Sequence, residues 1–182
     1  ATCNQYINRN YFHTINLQIF GNERFNIFIQ NKMMYSIAFD NDLIKGVELI
    51  DINLLNPHEK IIERKKISLV KFIKSYDSYY IISSIVCCHK SLLIVDGHHR
   101  YFALKELGFK KAPVTLIDYQ SNSIRAGSIN PLDKKYIVDV GKSSGLLEPK
   151  STEHAVYCNN SKSWEPIILL SSMFKINTKE IT

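Results

Sequence analysis

Two hydrophobic periods alternate along the chain. Over residues 1–44, "TINLQIF", "RFNIFIQ" and "MMYSIAF" are short β-rich runs separated by "GNE" and "QNK". Runs of that length with turn residues between them predict a small antiparallel meander. "GVELIDINLL" continues as a strand through Val47, Leu49, Ile50 and Ile52, and "NPHEK" reads as a turn because Pro57 fixes φ. The period then changes. In "IIERKKISLVKFIKSY", Ile61, Ile62, Ile67, Val70 and Ile73 recur near helical spacing, which predicts an amphipathic helix with its lysines outward. "SYYIISSIVCC" and "SLLIVD" flank "HK" as a hairpin. A helix over Arg100–Leu107 is stopped by Gly108. "APVTLIDY" is a strand and "PLDKKYIVDVGKSS" a helix. "GLLEPKSTEHAV" is a loop leading into a strand or short helix, and "WEPIILLSSMF" closes the core. Strands and helices mix without regular βαβ alternation, so the predicted class is α+β.

Composition narrows this picture little. At 182 residues with 45% hydrophobic content, one domain with a proper core is expected. No apolar run approaches the roughly 18 residues of a membrane span. The formal net charge of +6 suits an anionic partner such as a nucleotide, and a solvated surface equally well. Cys3, Cys87, Cys88 and Cys158 include no CxxC pair. They read as buried thiols of a reducing compartment, a cytoplasm or an organelle matrix, with Cys87 and Cys88 on opposite faces of one strand. The first residues, "ATCNQ", lack a Met, as in a processed mature form.

Candidate chemistry gathers at three places. In "IVDGHHRYFALKELG" a strand ends at Asp96, Gly97 permits a tight turn, and a helix begins. A helix N-terminus carries unpaired N–H groups and binds phosphate readily. His98, His99 and Arg100 add side-chain donors, and Asp96 is a hard oxygen ligand suited to Mg²⁺. The same residues also fit a plain structural turn, with Asp96 as helix cap and the histidines satisfied by backbone. The second place is "GLLEPKSTEHAV", where Lys150, Ser151, Thr152 and His154 follow a proline. A point charge with two short hydroxyl donors suits a phosphate group, although K-S-T is common on loops. The third is Glu59 in "NPHEK". Spacing alone makes it a solvated surface residue, yet transfer to a hydroxyl wants a carboxylate near the acceptor oxygen.

Together these segments carry a resemblance. Residues from about 46 to 174 resemble the ParB/sulfiredoxin-like superfamily, and within it the free L-serine kinases, which form O-phosphoserine. The motifs are "LLNPHE" after a strand, "VDGHHRYFALKELGFKKAPV", "SIRAGSIN" and "GLLEPKSTEH". D-G-H-H-R is shared by other branches, whereas its pairing with G-x-L-x-P-K-S-T-x-H is more specific to the kinases. The resemblance implies a mixed sheet with flanking helices over residues 45–182, plus a β-rich extension over 1–44. It implies Glu59 as catalytic carboxylate and Asp96 near metal and substrate. Gly97, His98, His99, Arg100, Lys150, Ser151, Thr152 and His154 are implied around the phosphates, with Mg²⁺ as cofactor and ATP or ADP as donor. The kinases usually carry Arg where this chain has Glu153, so an alternative stays open: a catalytically weakened ParB-like domain acting as an interaction subunit. In that alternative the meander, with an apolar strip including some of Tyr6, Tyr11, Phe12 and Phe20, docks a protein partner. Sulfiredoxin is set apart by its catalytic Cys just before the His-Arg pair, where this chain has His98. ParB proper is set apart by G-E-R-R in this slot and a helix-turn-helix domain, so no DNA partner is expected.

Overall fold

The longest uninterrupted buried run takes the middle of the sheet. In the computed structural model, which describes residues 37–76, 78–128 and 130–177, Ala112–Ile117 are all buried within β5, Lys111–Ile117. A strand buried on both faces belongs in the middle of a sheet covered by other elements on both sides. β5 is flanked by β1, Ile44–Asp51, antiparallel, and by β3, Ile85–Cys88, parallel. β4, Ile94–Asp96, completes the order β1-β5-β3-β4. Pro113 is tolerated because β3 pairing begins at Val114, so its missing N–H is not needed on that side.

Period 2 divides the core between the two faces. Ile85, Cys87, Ile94, Val114 and Leu116 lie on one side, with α1 (Glu63–Lys74), α2 (His98–Glu106) and a two-stranded ribbon of β2 (Tyr79–Ser83) and β9 (Met173–Asn177). Val86, Cys88, Leu93, Val95 and Ile117 face the other side. There they meet α3 (Lys134–Lys142) and a small sheet of β6 (Ile124–Arg125), β7 (Ala155–Cys158) and β8 (Ser163–Pro166). Cys87 and Cys88 therefore do point to opposite faces, and both are buried free thiols. The α+β class and the mixed sheet with flanking helices are as the sequence implied. No helix among the described residues is long and apolar enough to cross a membrane. Of the meander expected over 1–44, residues 1–36, with the apolar strip, lie outside the described residues. Residues 37–44 are described, and their Ile37, Phe39 and Leu43 pack into the second core.

Three expectations are corrected. "YYIISSIVCC" is not one strand. It breaks at Ser84, whose hydroxyl contacts Thr115 Oγ1 at 2.7 Å and accepts from Ser172 N–H at 2.9 Å, so that β2 leaves the sheet to pair with β9. The pairing of the "VELIDI" and "SLLIVD" strands in one sheet, which would deliver Glu59 and Asp96 to one edge, is also expected from the sequence, but β5 and β3 stand between them. Nor is "NPHEK" a simple turn. After a 3₁₀ turn at Ile52–Leu54, the chain crosses to the free edge of β4. There Asn56 N–H donates to Leu92 O and Ile94 N–H to Asn56 O, each at 2.9 Å. The segment then bridges Leu147 through Lys60 N–H to Leu147 O (2.9 Å) and Leu147 N–H to His58 O (2.7 Å). An extended path of this kind satisfies backbone groups that a buried turn would strand. α3 fits against it because Gly141 has no Cβ; one built there would lie 2.3 Å from Leu93 Cδ1.

Candidate active site

β1 and β4 run in the same direction, since each is antiparallel to one of the mutually parallel pair β5 and β3. The segments that follow them therefore emerge on one side of the sheet, which brings Asn56–Lys60 alongside the start of α2. Gly97 is the N-cap of α2, with φ +104° and no side-chain cap, so the first-turn N–H groups are not occupied by a capping side chain. A left-handed φ of that size favours glycine. A Cβ at position 97 would also lie 3.1 Å from the Arg100 guanidinium.

His98 and His99 turn back toward residues 58–62. His58 N–H donates to His98 Nε2 at 3.3 Å, and Ile62 N–H donates to His99 Nε2 at 3.0 Å. The structural reading of the two histidines thus holds for both Nε2 atoms. Burial pulls both rings below the ordinary histidine range. On His99, Lys65 and Lys150 push the same way, while Asp96 and Glu59 oppose, so both carboxylates act on this ring. Arg100 was expected to offer its fork to phosphate. Instead Nη1 donates to Ser83 O (2.9 Å), Ser83 Oγ and Ser84 O, and Nη2 to Asp96 Oδ2. Burial of the guanidinium makes this ion pair a structural clamp on the start of α2. Asp96 itself keeps a third of its side chain exposed.

Glu59 is 8% exposed, against the surface position that spacing alone assigns it. Its carboxylate holds the second motif together. Oε2 accepts from Lys150 N–H at 3.2 Å, and Oε1 accepts from Thr152 N–H at 2.9 Å and from the Thr152 hydroxyl. To aim those donors, Lys150 and Glu153 adopt left-handed backbone, φ +60° and +36°. That conformation costs a non-glycine residue about 1–2 kcal/mol. Asp96–Arg100 and Lys150–His154 therefore meet across the Asn56–Ile62 segment rather than on opposite sides of the fold. Ser151 is exposed beside them. The Lys150 side chain approaches Lys65 on the first turn of α1, and that contact pulls the Lys65 amine below its ordinary range. Glu153 is exposed, with its carboxylate accepting from the Ser128 hydroxyl.

Sequence reasoning missed His58, Tyr119 and Lys65. His58 is fully buried, with Nε2 3.2 Å from Thr152 Oγ1 and its ring 4.7 Å from His98 and 5.5 Å from His154. Tyr119 hydrogen-bonds His154 Nε2 at 2.7 Å. The available signal was weak: a histidine beside Glu59, and a tyrosine closing an apolar strand.

No family model matches the chain. A search of curated proteins finds an ATP-dependent L-serine kinase of Staphylothermus marinus, 40% identical over 102 residues, covering 49% of this chain and 40% of that protein. An ADP-dependent L-serine kinase of Thermococcus kodakarensis is 27% identical over 114 residues, covering 58% and 47%. A ParB-like protein of Sulfolobus acidocaldarius is 31% identical over 84 residues, covering 46% and 41%. The chain thus spans less than half the length of these relatives. Among solved structures, a free serine kinase in complex with AMP, a glutamate-to-glutamine variant, matches with a TM-score of 0.56 at 13% identity. It covers 81% of this chain and 98% of that one. A glutamate-to-alanine variant in complex with ADP matches at 0.55. The fold is therefore of the ParB/sulfiredoxin-like class. Within that class, the chain is similar to the L-serine kinases.

Proposed function

We propose that the chain is a nucleotide-dependent kinase that transfers a phosphoryl group to the hydroxyl of free L-serine, or of a close small hydroxyl compound, giving O-phosphoserine. One observation carries the reading: the Glu59 carboxylate is drawn into the Lys150–Thr152 turn next to the uncapped start of α2. Carboxylate, cation and helix N-terminus are the parts that phosphoryl transfer to a hydroxyl needs in one place. Relatives named L-serine kinases and neighbours holding AMP and ADP support it.

In this reading the first-turn N–H groups after Gly97, at His98 and His99, receive phosphate oxygens, as do the Lys150 ammonium and the Ser151 hydroxyl. Thr152 and His154 serve the same site by holding Glu59. Arg100 braces Asp96. Asp96 is the residue that would hold Mg²⁺. The fit is that of a phosphate-bound ion: one partly exposed carboxylate, with no cluster of three or more His, Cys, Asp or Glu side chains suited to a metal among the described residues. Mg²⁺ commonly takes one or two carboxylates and fills its shell with phosphates and water. Bound there it would supply neutralisation of phosphate charge. The serine oxygen forms a bond to the terminal phosphorus, the bond from that phosphorus to its bridging oxygen breaks, and the hydroxyl proton passes to Glu59. Such a transition state loses the proton late, so Glu59 acts first by orientation. The relatives are named for both ATP and ADP, so either nucleotide is a candidate donor. Glu153, where such kinases usually have Arg, is engaged by Ser128.

The test is incubation of the purified chain with Mg²⁺, L-serine and either ATP or ADP, read by mass spectrometry. O-phosphoserine with one donor establishes the activity. Nucleotide binding without phosphorylation of serine or any small hydroxyl compound removes it.

A further inference from the structure

The Glu59 carboxylate ends a chain of hydrogen bonds whose direction can be worked out. Oε1 of an ionised carboxylate only accepts, so the Thr152 hydroxyl donates to it. That uses the one hydroxyl hydrogen. Toward its other two neighbours, His154 Nδ1 at 3.3 Å and His58 Nε2 at 3.2 Å, Thr152 Oγ1 can only accept. Both histidine atoms must then carry hydrogen. His154 is thereby the Nδ1–H tautomer with Nε2 bare, and Tyr119 O–H donates to that nitrogen at 2.7 Å. The same logic makes His58 the Nε2–H tautomer with Nδ1 bare. His58 Nδ1 is in fact a buried atom without a hydrogen-bond partner, the less costly kind of orphan when it carries no hydrogen.

Every hydrogen in the chain thus points at Glu59. Burial pulls the His58 ring down, and burial with His58 nearby takes His154 down to about 3, so both rings stay neutral at ordinary pH. Burial likewise pushes the Tyr119 phenol up. A phenol that keeps its proton and a neutral imidazole hold a direction; they do not conduct a proton away.

Resting on the kinase reading above, we infer that Tyr119 is a positioning residue. Through His154 and Thr152 it locks Glu59 with Oε1 anchored, leaving Oε2 as the oxygen that receives the acceptor proton. Oε1 takes two hydrogen bonds from Thr152, while Oε2 takes one longer bond from Lys150 N–H. Without the Tyr119 hydroxyl, Nε2 of His154 loses the donor that favours it bare. The imidazole can then move its hydrogen to Nε2, and the new lone pair on Nδ1 competes with Oε1 for the Thr152 hydroxyl.

Long-range ¹H–¹⁵N correlation spectra of histidine-labelled protein test the lock directly. Wild type is expected to show His154 protonated at Nδ1 and bare at Nε2, and Tyr119→Phe to populate the Nε2–H tautomer. A wild-type His154 protonated at Nε2 overturns the inference, as does a Tyr119→Phe spectrum with the wild-type tautomer. In turnover, Tyr119→Phe should lower kcat about tenfold, the worth of one hydrogen bond, with KM for serine unchanged. A rise in KM with kcat unchanged overturns it too. If wild type phosphorylates no hydroxyl compound, the kinase reading and the role of Oε2 fall with it, whereas the spectra still decide the lock.

Discussion

The two halves of the site are built on opposite principles. The Asp96–Arg100 turn belongs to regular structure. A strand ends, a glycine takes the left-handed position at φ +104°, a nine-residue helix begins, and a buried Arg100 guanidinium paired with Asp96 clamps the junction. The Lys150–Thr152 turn has no such frame. Its left-handed positions are held by Lys150 and Glu153, and the hydrogen bonds that define it converge on the carboxylate of a residue 91 positions earlier. In the first half, backbone preference and local sequence agree. In the second, a side chain supplies what the backbone disfavours, so geometry and chemistry rest on the same group, Glu59. Strain of this kind persists only where its surroundings over-determine it.

The contrast breaks most sharply at Glu59. Glu59→Gln should lower turnover by about 10²–10⁴. Its amide would also set a donor against the N–H of Lys150 or Thr152, so the urea midpoint should fall as well. Turnover and midpoint both at wild-type values would dissolve the contrast. Arg100→Ala is the matching cut in the first half. It leaves the Ser83 and Ser84 carbonyls without the Nη1 donor and the partly exposed Asp96 without its partner, so it should cost about 1–3 kcal/mol of stability in denaturant unfolding. A loss under about 1 kcal/mol would show that Arg100 is not the clamp.

Lys150 sharpens the comparison because its backbone and side chain do different things. Lys150→Ala keeps the N–H to Glu59 and removes the charge. It should cost about 10²–10³ in rate if the ammonium meets transition-state charge, and weaken nucleotide binding in calorimetry. Lys150→Gly should match that loss while gaining about 1 kcal/mol of stability from relief of the left-handed strain. Unchanged nucleotide affinity in both removes the ammonium from the site.

The smallest effect is read by pH. His58, His98 and His154 are held below the ordinary histidine value of 6.5, His154 to about 3 and chiefly by burial. The unfolded chain binds protons at these rings before the folded protein does. Stability is therefore full above about pH 6.5 and falls as pH drops toward 3. For His154 the slope is about 1.4 kcal/mol per pH unit across this window. Replacing His154 by Gln should flatten the slope of unfolding free energy between pH 6 and 4 by one such increment. An unaltered slope would mean that His154 titrates normally.

Legibility followed the range of the interactions. The helices over Glu63–Lys74 and Lys134–Lys142, the central β5 and the His89–Lys90 hairpin announce themselves by period and turn residues, because those preferences act within a few positions. The strand–glycine–helix junction at Asp96–Gly97 was readable for the same reason: glycine after a strand and before a helix is a local statement. The Cys87 and Cys88 faces followed from the strand period alone.

What only the tertiary structure decided was where each polar group ends. Nothing near Arg100 in the chain says that its fork closes on Ser83 and Ser84 rather than opening toward a phosphate. Nothing in "NPHEK" says that it runs extended beside β4, since the partners that make this favourable, Leu92, Ile94 and Leu147, lie 35 or more residues away. Glu59 reads as a surface residue until Lys150 and Thr152 are folded over it. Tyr119, His154, Thr152 and His58 become one network only when β4, β5 and the loop before β7 are stacked. Hydrophobic period is a property of neighbours in sequence, whereas the satisfaction of a buried polar group depends on which distant donors and acceptors the packed core brings within about 3 Å.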